Sequence, residues 1–109
     1  SMPKVTYVSH SGVATTVDVP VGESVMRGAV HNGVEGIVGE CGGALSCATC
    51  HCYVDAAWTA KVGGPENEFE AALLDGVASE TRPSSRLSCQ IVMTEALDGL
   101  VVQLPEVQF

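Results

Sequence analysis

A chain of 109 residues has room for one domain, with a core just large enough to be stable unaided. Apolar residues at 46% against charged residues at 17% argue against disorder, and no apolar run approaches the roughly 18 residues that a membrane helix requires. Thirteen acidic against five basic residues give a formal charge of −8, which repels a nucleic-acid backbone and favours a basic protein surface as partner.

In chain order, Lys4-Val5-Thr6-Tyr7-Val8 and Thr15-Thr16-Val17-Asp18-Val19 read as the strands of a hairpin, with His10-Ser11-Gly12 between them. Ser24 offers an N-cap for a short helix ended by Asn32-Gly33, with Val25, Ala29 and Val30 expected to pack on the inner face of the hairpin. From Gly36 to Cys50 small residues and cysteines follow without periodicity, as in a loop. His51-Cys52-Tyr53-Val54 resumes as a strand, and Asp55 is placed to cap a turn through Trp58. After Gly63-Gly64-Pro65 a helix is expected from about Glu66 to Leu74, buried along Phe69, Ala72 and Leu73. Arg82 to Ser85 reads as a turn, Leu87 to Val92 as strand-like, and Leu100 to Leu104 as a last strand after the turn at Asp98-Gly99. That order predicts an α+β domain of mixed sheet and short helices spanning residues 1–109. Aromatics are scarce at 5%, so the core must be built mainly from Val, Leu, Ile and Ala.

Chemistry concentrates in the cysteines. Five of them, an odd number, with no apolar signal stretch at Ser1-Met2-Pro3-Lys4, point to metal or redox chemistry in a reducing compartment, with the cytoplasm as the expected address. Cys41-Gly-Gly-Ala-Leu-Ser-Cys47-Ala-Thr-Cys50 is a C-x5-C-x2-C run, and Cys89 follows far downstream. Three thiolates from one loop can surround an iron–sulfur core only if the loop wraps it closely, which demands small side chains. Gly42, Gly43, Ala44, Ser46, Ala48 and Thr49 supply them, and a distant fourth cysteine would close the cage. The alternative is a binding module stabilised by a four-cysteine zinc site, although such sites usually pair two short cysteine hairpins and only one exists here. Colour separates the two, since an iron–sulfur protein is red-brown and a zinc protein colourless.

Beyond its spacing, the sequence resembles the adrenodoxin/putidaredoxin-type [2Fe–2S] ferredoxins, in their putidaredoxin-like branch. The likeness runs through Tyr7-Val8-Ser9-His10, Ile37 to Gly43, Cys47-Ala48-Thr49-Cys50-His51, Ser85-Arg86-Leu87, Cys89-Gln90-Ile91, Met93-Thr94 and Leu97-Asp98-Gly99, and so covers essentially the whole chain. It implies a β-grasp fold and one [2Fe–2S] cluster on Cys41, Cys47, Cys50 and Cys89, the first two on the outer iron and the last two on the inner. It further implies an electron carrier rather than an enzyme, with an FAD-containing, NAD(P)H-dependent ferredoxin reductase as donor and a bacterial cytochrome P450 as acceptor. Service in iron–sulfur cluster assembly is the alternative within the family.

Cys52 stands where that pattern has an apolar strand residue and is read as a small buried hydrophobe rather than a ligand. His51 is expected to brace the loop by bonding a nearby backbone group, while His10 and His31 show no metal spacing. Glu66, Glu68, Glu70 and Asp75 are assigned to an acidic docking face, supported by the charge imbalance and by a family acidic position at Asp75. The resemblance also places Glu40 near the outer iron, and it gives Phe109 a role in P450 docking, because the putidaredoxin-like pattern ends in a tryptophan implicated there.

Overall fold

The computed structural model describes residues 2–34, 51–64, 68–75 and 81–105, and the side chain of Phe69 lies outside that description. Strand β1 (Lys4–Val8) pairs antiparallel with β2 (Ala14–Asp18), setting Lys4 against Asp18 and Val8 against Ala14. The second strand thus starts one residue earlier than expected, and Val19, just past its end, is fully buried. In the connecting turn Gly12 donates its N–H to Ser9 O at 2.9 Å and takes φ 93°, a conformation that side-chain-bearing residues adopt only under strain.

Helix α1 (Val25–His31) begins at Ser24, whose hydroxyl accepts the Arg27 N–H at 3.1 Å and so satisfies one of the orphan donors of the first turn. Val25, Met26 and Ala29 are buried, but Val30 is 46% exposed and does not join the expected stripe. A helix turns about 100° per residue, so Val30 stands well away from Val25 round the axis. Gly28 takes the inner face instead. A Cβ there would collide with Val19 Cγ2 and meet the Tyr7 hydroxyl at 2.9 Å, so the bare backbone is what lets the helix approach the hairpin. Tyr7 donates its hydroxyl to Val25 O at 2.6 Å, and burial pushes the phenol well above its ordinary pKa.

Three further strands, β3 (His51–Val54), β4 (Ser85–Leu87) and β5 (Leu100–Gln103), complete a sheet of order β2-β1-β5-β3-β4. β5 runs parallel to β1 and antiparallel to β3, and β4 runs antiparallel to β3. Parallel neighbours need a crossover, and the chain between β1 and β5 provides it. This is the mixed sheet with short helices of the expected β-grasp. The parallel register sets Val5 against Leu100 and Tyr7 against Val102, and these four alternate positions are buried together in the core. Gly99, at φ 92°, turns the chain into β5 and donates its N–H to Lys4 O at 2.9 Å.

Two expectations fail locally. Leu87 to Val92 is not one strand: β4 ends at Leu87 and a 3-10 turn spans Ser88–Gln90. The residues beyond it pair with the approach to α1, through Val25 N to Ile91 O at 2.9 Å, Met93 N to Glu23 O at 2.8 Å and Gly22 N to Met93 O at 3.0 Å. The helix after Pro65 is described over Glu68–Leu74, preceded by the four-residue α2 (Thr59–Val62), so it is α3. Among its described side chains Glu70 and Leu74 are buried, with Leu73 half-buried and Ala72 exposed. Residues four apart share a helix face, so Glu70 and Leu74 define the inner side. The expected apolar stripe overlooked it because Glu70 is charged.

Candidate metal centre

Of the four candidate ligands, the described residues contain Cys89; Cys41, Cys47 and Cys50 lie outside them, as do Glu40, Glu66 and Phe109. Cys89 occupies the middle of the 3-10 turn, 9% exposed, along a groove shared with Ser24, Met26, Arg27 and Val92. The side-chain amide of Gln90 donates to its sulfur at 3.6 Å. A thiol at the protein's margin, on a turn fixed from both sides and met by an N–H donor, fits a cluster ligand, since hydrogen bonds to sulfur offset the negative charge of the bound core.

Cys52 presents the opposite environment. It is fully buried in the hydrophobic core, and burial pushes its thiol up to about 12, against a smaller downward pull from Arg86. A sulfur held as the neutral thiol is a core side chain, as its place in a period-two strand suggested.

The turn that carries Cys89 is fixed by a buried ion pair that sequence reasoning did not find. Arg86 Nε donates to Glu70 Oε2 at 2.6 Å and Nη2 to Oε1 at 3.2 Å, with the two side chains 2% and 0% exposed. The same carboxylate accepts the backbone N–H of Leu87 at 3.0 Å. The guanidinium also reaches Val62 O at 3.4 Å, Gly63 O at 3.2 Å and Gln90 O at 3.4 Å. One planar fork therefore joins α2, α3, β4 and the ligand turn, a geometry open to arginine and not to lysine.

Glu70 is accordingly no part of a docking face. Two residues along a helix lie about 200° apart, so Glu68 and Glu70 point to opposite sides. Glu68 is exposed, and so is Asp75, seven positions later and nearly in line with it. The described carboxylates available to a partner on this element are those two.

On the other face of β3, His51 Nε2 meets Ser85 Oγ at 2.8 Å, and Ser85 Oγ accepts the Arg82 N–H at 2.8 Å. His51 therefore braces its neighbours through the side-chain hydroxyl of Ser85. Burial first, and the positive charge of Arg82 second, push the imidazole down to about 4, so it is neutral at neutral pH. Its ring packs edge-on against Tyr53 at 4.7 Å, and the Arg82 guanidinium lies 4.3 Å from the Tyr53 ring centroid. Ser85, Arg86 and Tyr53 carried no local signal of these roles. Arg86 was legible only as part of a familiar Ser-Arg-Leu string.

Residues 8–94 match the family model of the 2Fe-2S iron-sulfur cluster binding domain. The chain is 53% identical over 108 residues to putidaredoxin of Pseudomonas putida, covering 99% of this chain and 100% of that protein. It superposes on a ferredoxin from Rhodopseudomonas palustris with a TM-score of 0.94 at 48% identity, covering 98% of this chain and all of the other. It superposes with a TM-score of 0.89, at 55% identity and over 94% and 97% of the two chains, on a chain of the covalent putidaredoxin reductase–putidaredoxin complex. The zinc alternative is overturned by this match. A domain model spanning most of the chain, full-length identity above one half and a cysteine turn built to hold a thiolate lead to one assignment: the chain belongs to the 2Fe-2S iron-sulfur cluster binding domain family, as a putidaredoxin-type ferredoxin with one [2Fe–2S] cluster.

Proposed function

We propose that this chain is a one-electron carrier that holds its cluster on Cys41, Cys47, Cys50 and Cys89, is reduced by an FAD-containing, NAD(P)H-dependent ferredoxin reductase, and delivers electrons to a cytochrome P450 in the cytoplasm. The observation that carries the reading is the full-length likeness to putidaredoxin, a protein captured in covalent complex with its reductase. When bound, the cluster supplies a reversible one-electron couple at low potential.

The protein sets the partners and the access. Cys89 presents its sulfur from a turn that the Glu70–Arg86 pair holds in place. Glu68 and Asp75 offer exposed carboxylates to a cationic partner, and the charge of −8 accelerates encounter with a basic surface. Glu40 is assigned to an arginine of the partner near the outer iron, and Phe109 to an apolar pocket of the P450, where an aromatic anchor excludes water.

Reconstitution tests the reading. NADH or NADPH, candidate reductases and candidate P450s of the same organism are combined with the holoprotein and scored by hydroxylated product. Product formation should require this chain, slow as salt rises, and fall on deletion of Phe109 without loss of the visible spectrum. Reduction by the reductase with no P450 turnover would send the electron to cluster assembly instead.

A further inference from the structure

Gln90 follows Cys89 in the ligand turn, and its side-chain amide nitrogen lies 3.6 Å from Cys89 Sγ. Sulfur is larger than oxygen, so this separation is in hydrogen-bond range for a thiolate acceptor. The backbone that carries the donor is held in place. Gln90 O accepts Arg86 Nη2 at 3.4 Å, and Arg86 is locked by Glu70 on one side and by the carbonyls of Val62 and Gly63 on the other. Gln90 itself is half-buried and Cys89 is 9% exposed, so the contact lies near the protein surface.

We propose that Gln90 is a potential-setting residue, its side-chain N–H donating to the Cys89 thiolate and favouring the reduced protein. The proposal rests on Cys89 being a cluster ligand. Adding one electron increases the negative charge spread over the ligand sulfurs, and a hydrogen bond strengthens as its acceptor gains charge. The donor therefore stabilises the reduced state more than the oxidised one. Glutamine does this without altering net charge, and its contribution is separable from that of any backbone N–H because it belongs to one side chain. The buried ion pair gains a second consequence, since Glu70 and Arg86 position the donor as well as the turn.

The test uses purified holoprotein, its reduction potential measured spectroelectrochemically, with the EPR signal of the reduced form and the melting temperature recorded in parallel. Gln90→Leu removes the donor, and Gln90→Glu replaces it with an isosteric acceptor. Gln90→Leu should lower the equilibrium constant for one-electron reduction about three- to tenfold, tenfold being about 59 mV for one electron. Gln90→Glu should lower it further and shift the EPR g values. Wild-type potentials in both variants overturn the proposal, and so does a lower melting temperature with unchanged potential, which would make Gln90 a packing residue. Cys89→Ser is the separate arm. Loss of the visible spectrum there supports the ligand assignment, and full retention overturns it together with the role of Gln90.

Discussion

The sheet carries an ion pair near each outer edge, Lys4–Asp18 across β1 and β2 and Glu70–Arg86 behind β4, and both have an N–O separation of 2.6 Å. Their surroundings differ completely. The side chains of the first pair are 59% and 51% exposed, those of the second 2% and 0%. At the hairpin edge, apolar packing between β1, β5 and α1 does the stabilising, and the ion pair only decorates a solvated strand. The partner side chain raises the pKa of Lys4, but solvent screens what that is worth. At the cluster edge the charges are buried within the fold, so each is held by several hydrogen bonds and removing one alone is costly. The distance between two charges therefore says little about an ion pair; what surrounds it decides.

The largest effect should come from separating the buried pair. Arg86→Leu takes the guanidinium partner away from the buried Glu70 carboxylate and is expected to cost about 3–5 kcal/mol in urea denaturation of the holoprotein. The double variant Glu70→Leu with Arg86→Leu should lose less than the sum of the two single changes, because both charges of the pair leave together. Equal additive losses would show that the two side chains act independently.

At the other edge the sensitive element is packing. Gly28→Val would drive its side chain into Val19 and Tyr7 and should cost about 1–3 kcal/mol by overpacking, leaving the visible spectrum intact. Tyr7→Phe removes one buried hydroxyl and leaves Val25 O short of a partner, an expected loss of about 1–2 kcal/mol by the same assay. Lys4→Ala should be smallest, with no resolvable change in the urea midpoint at physiological salt. A Lys4→Ala loss as large as that of Arg86→Leu would erase the distinction between the two edges.

Legibility in the sequence followed the same division. The hairpin, Ser24 as N-cap, the last strand and Gly99 were readable because period-two patterning, capping and turn chemistry are local signals. The inner face of α3 was not, because a buried Glu70 looks like a surface glutamate until Arg86, sixteen positions away, is placed beside it. The turn after Leu87 hid for a related reason. Its alternating residues do pair in strand fashion, but with residues 22–25 rather than with the sheet, and no local pattern names a distant partner. Gly28 was passed over because a helical glycine announces its purpose only when the hairpin packs against it. The candidate site divided similarly: a cysteine run with its distant fourth member is a sequence signal, whereas the hydrogen bonds that fix Cys89 are tertiary.

An anaerobic reductive titration of the holoprotein, with EPR spin counting at each step, bears most directly on what this molecule does. A single [2Fe–2S] cluster held by four thiolates takes up one electron, since further negative charge on an already anionic core is strongly disfavoured. The titration should reach its end point at one electron per chain, with the visible absorbance bleached and one unpaired spin per chain appearing together. Consumption of two electrons per chain, or a spectrum unmoved by reductant, would contradict the assignment of a one-electron carrier.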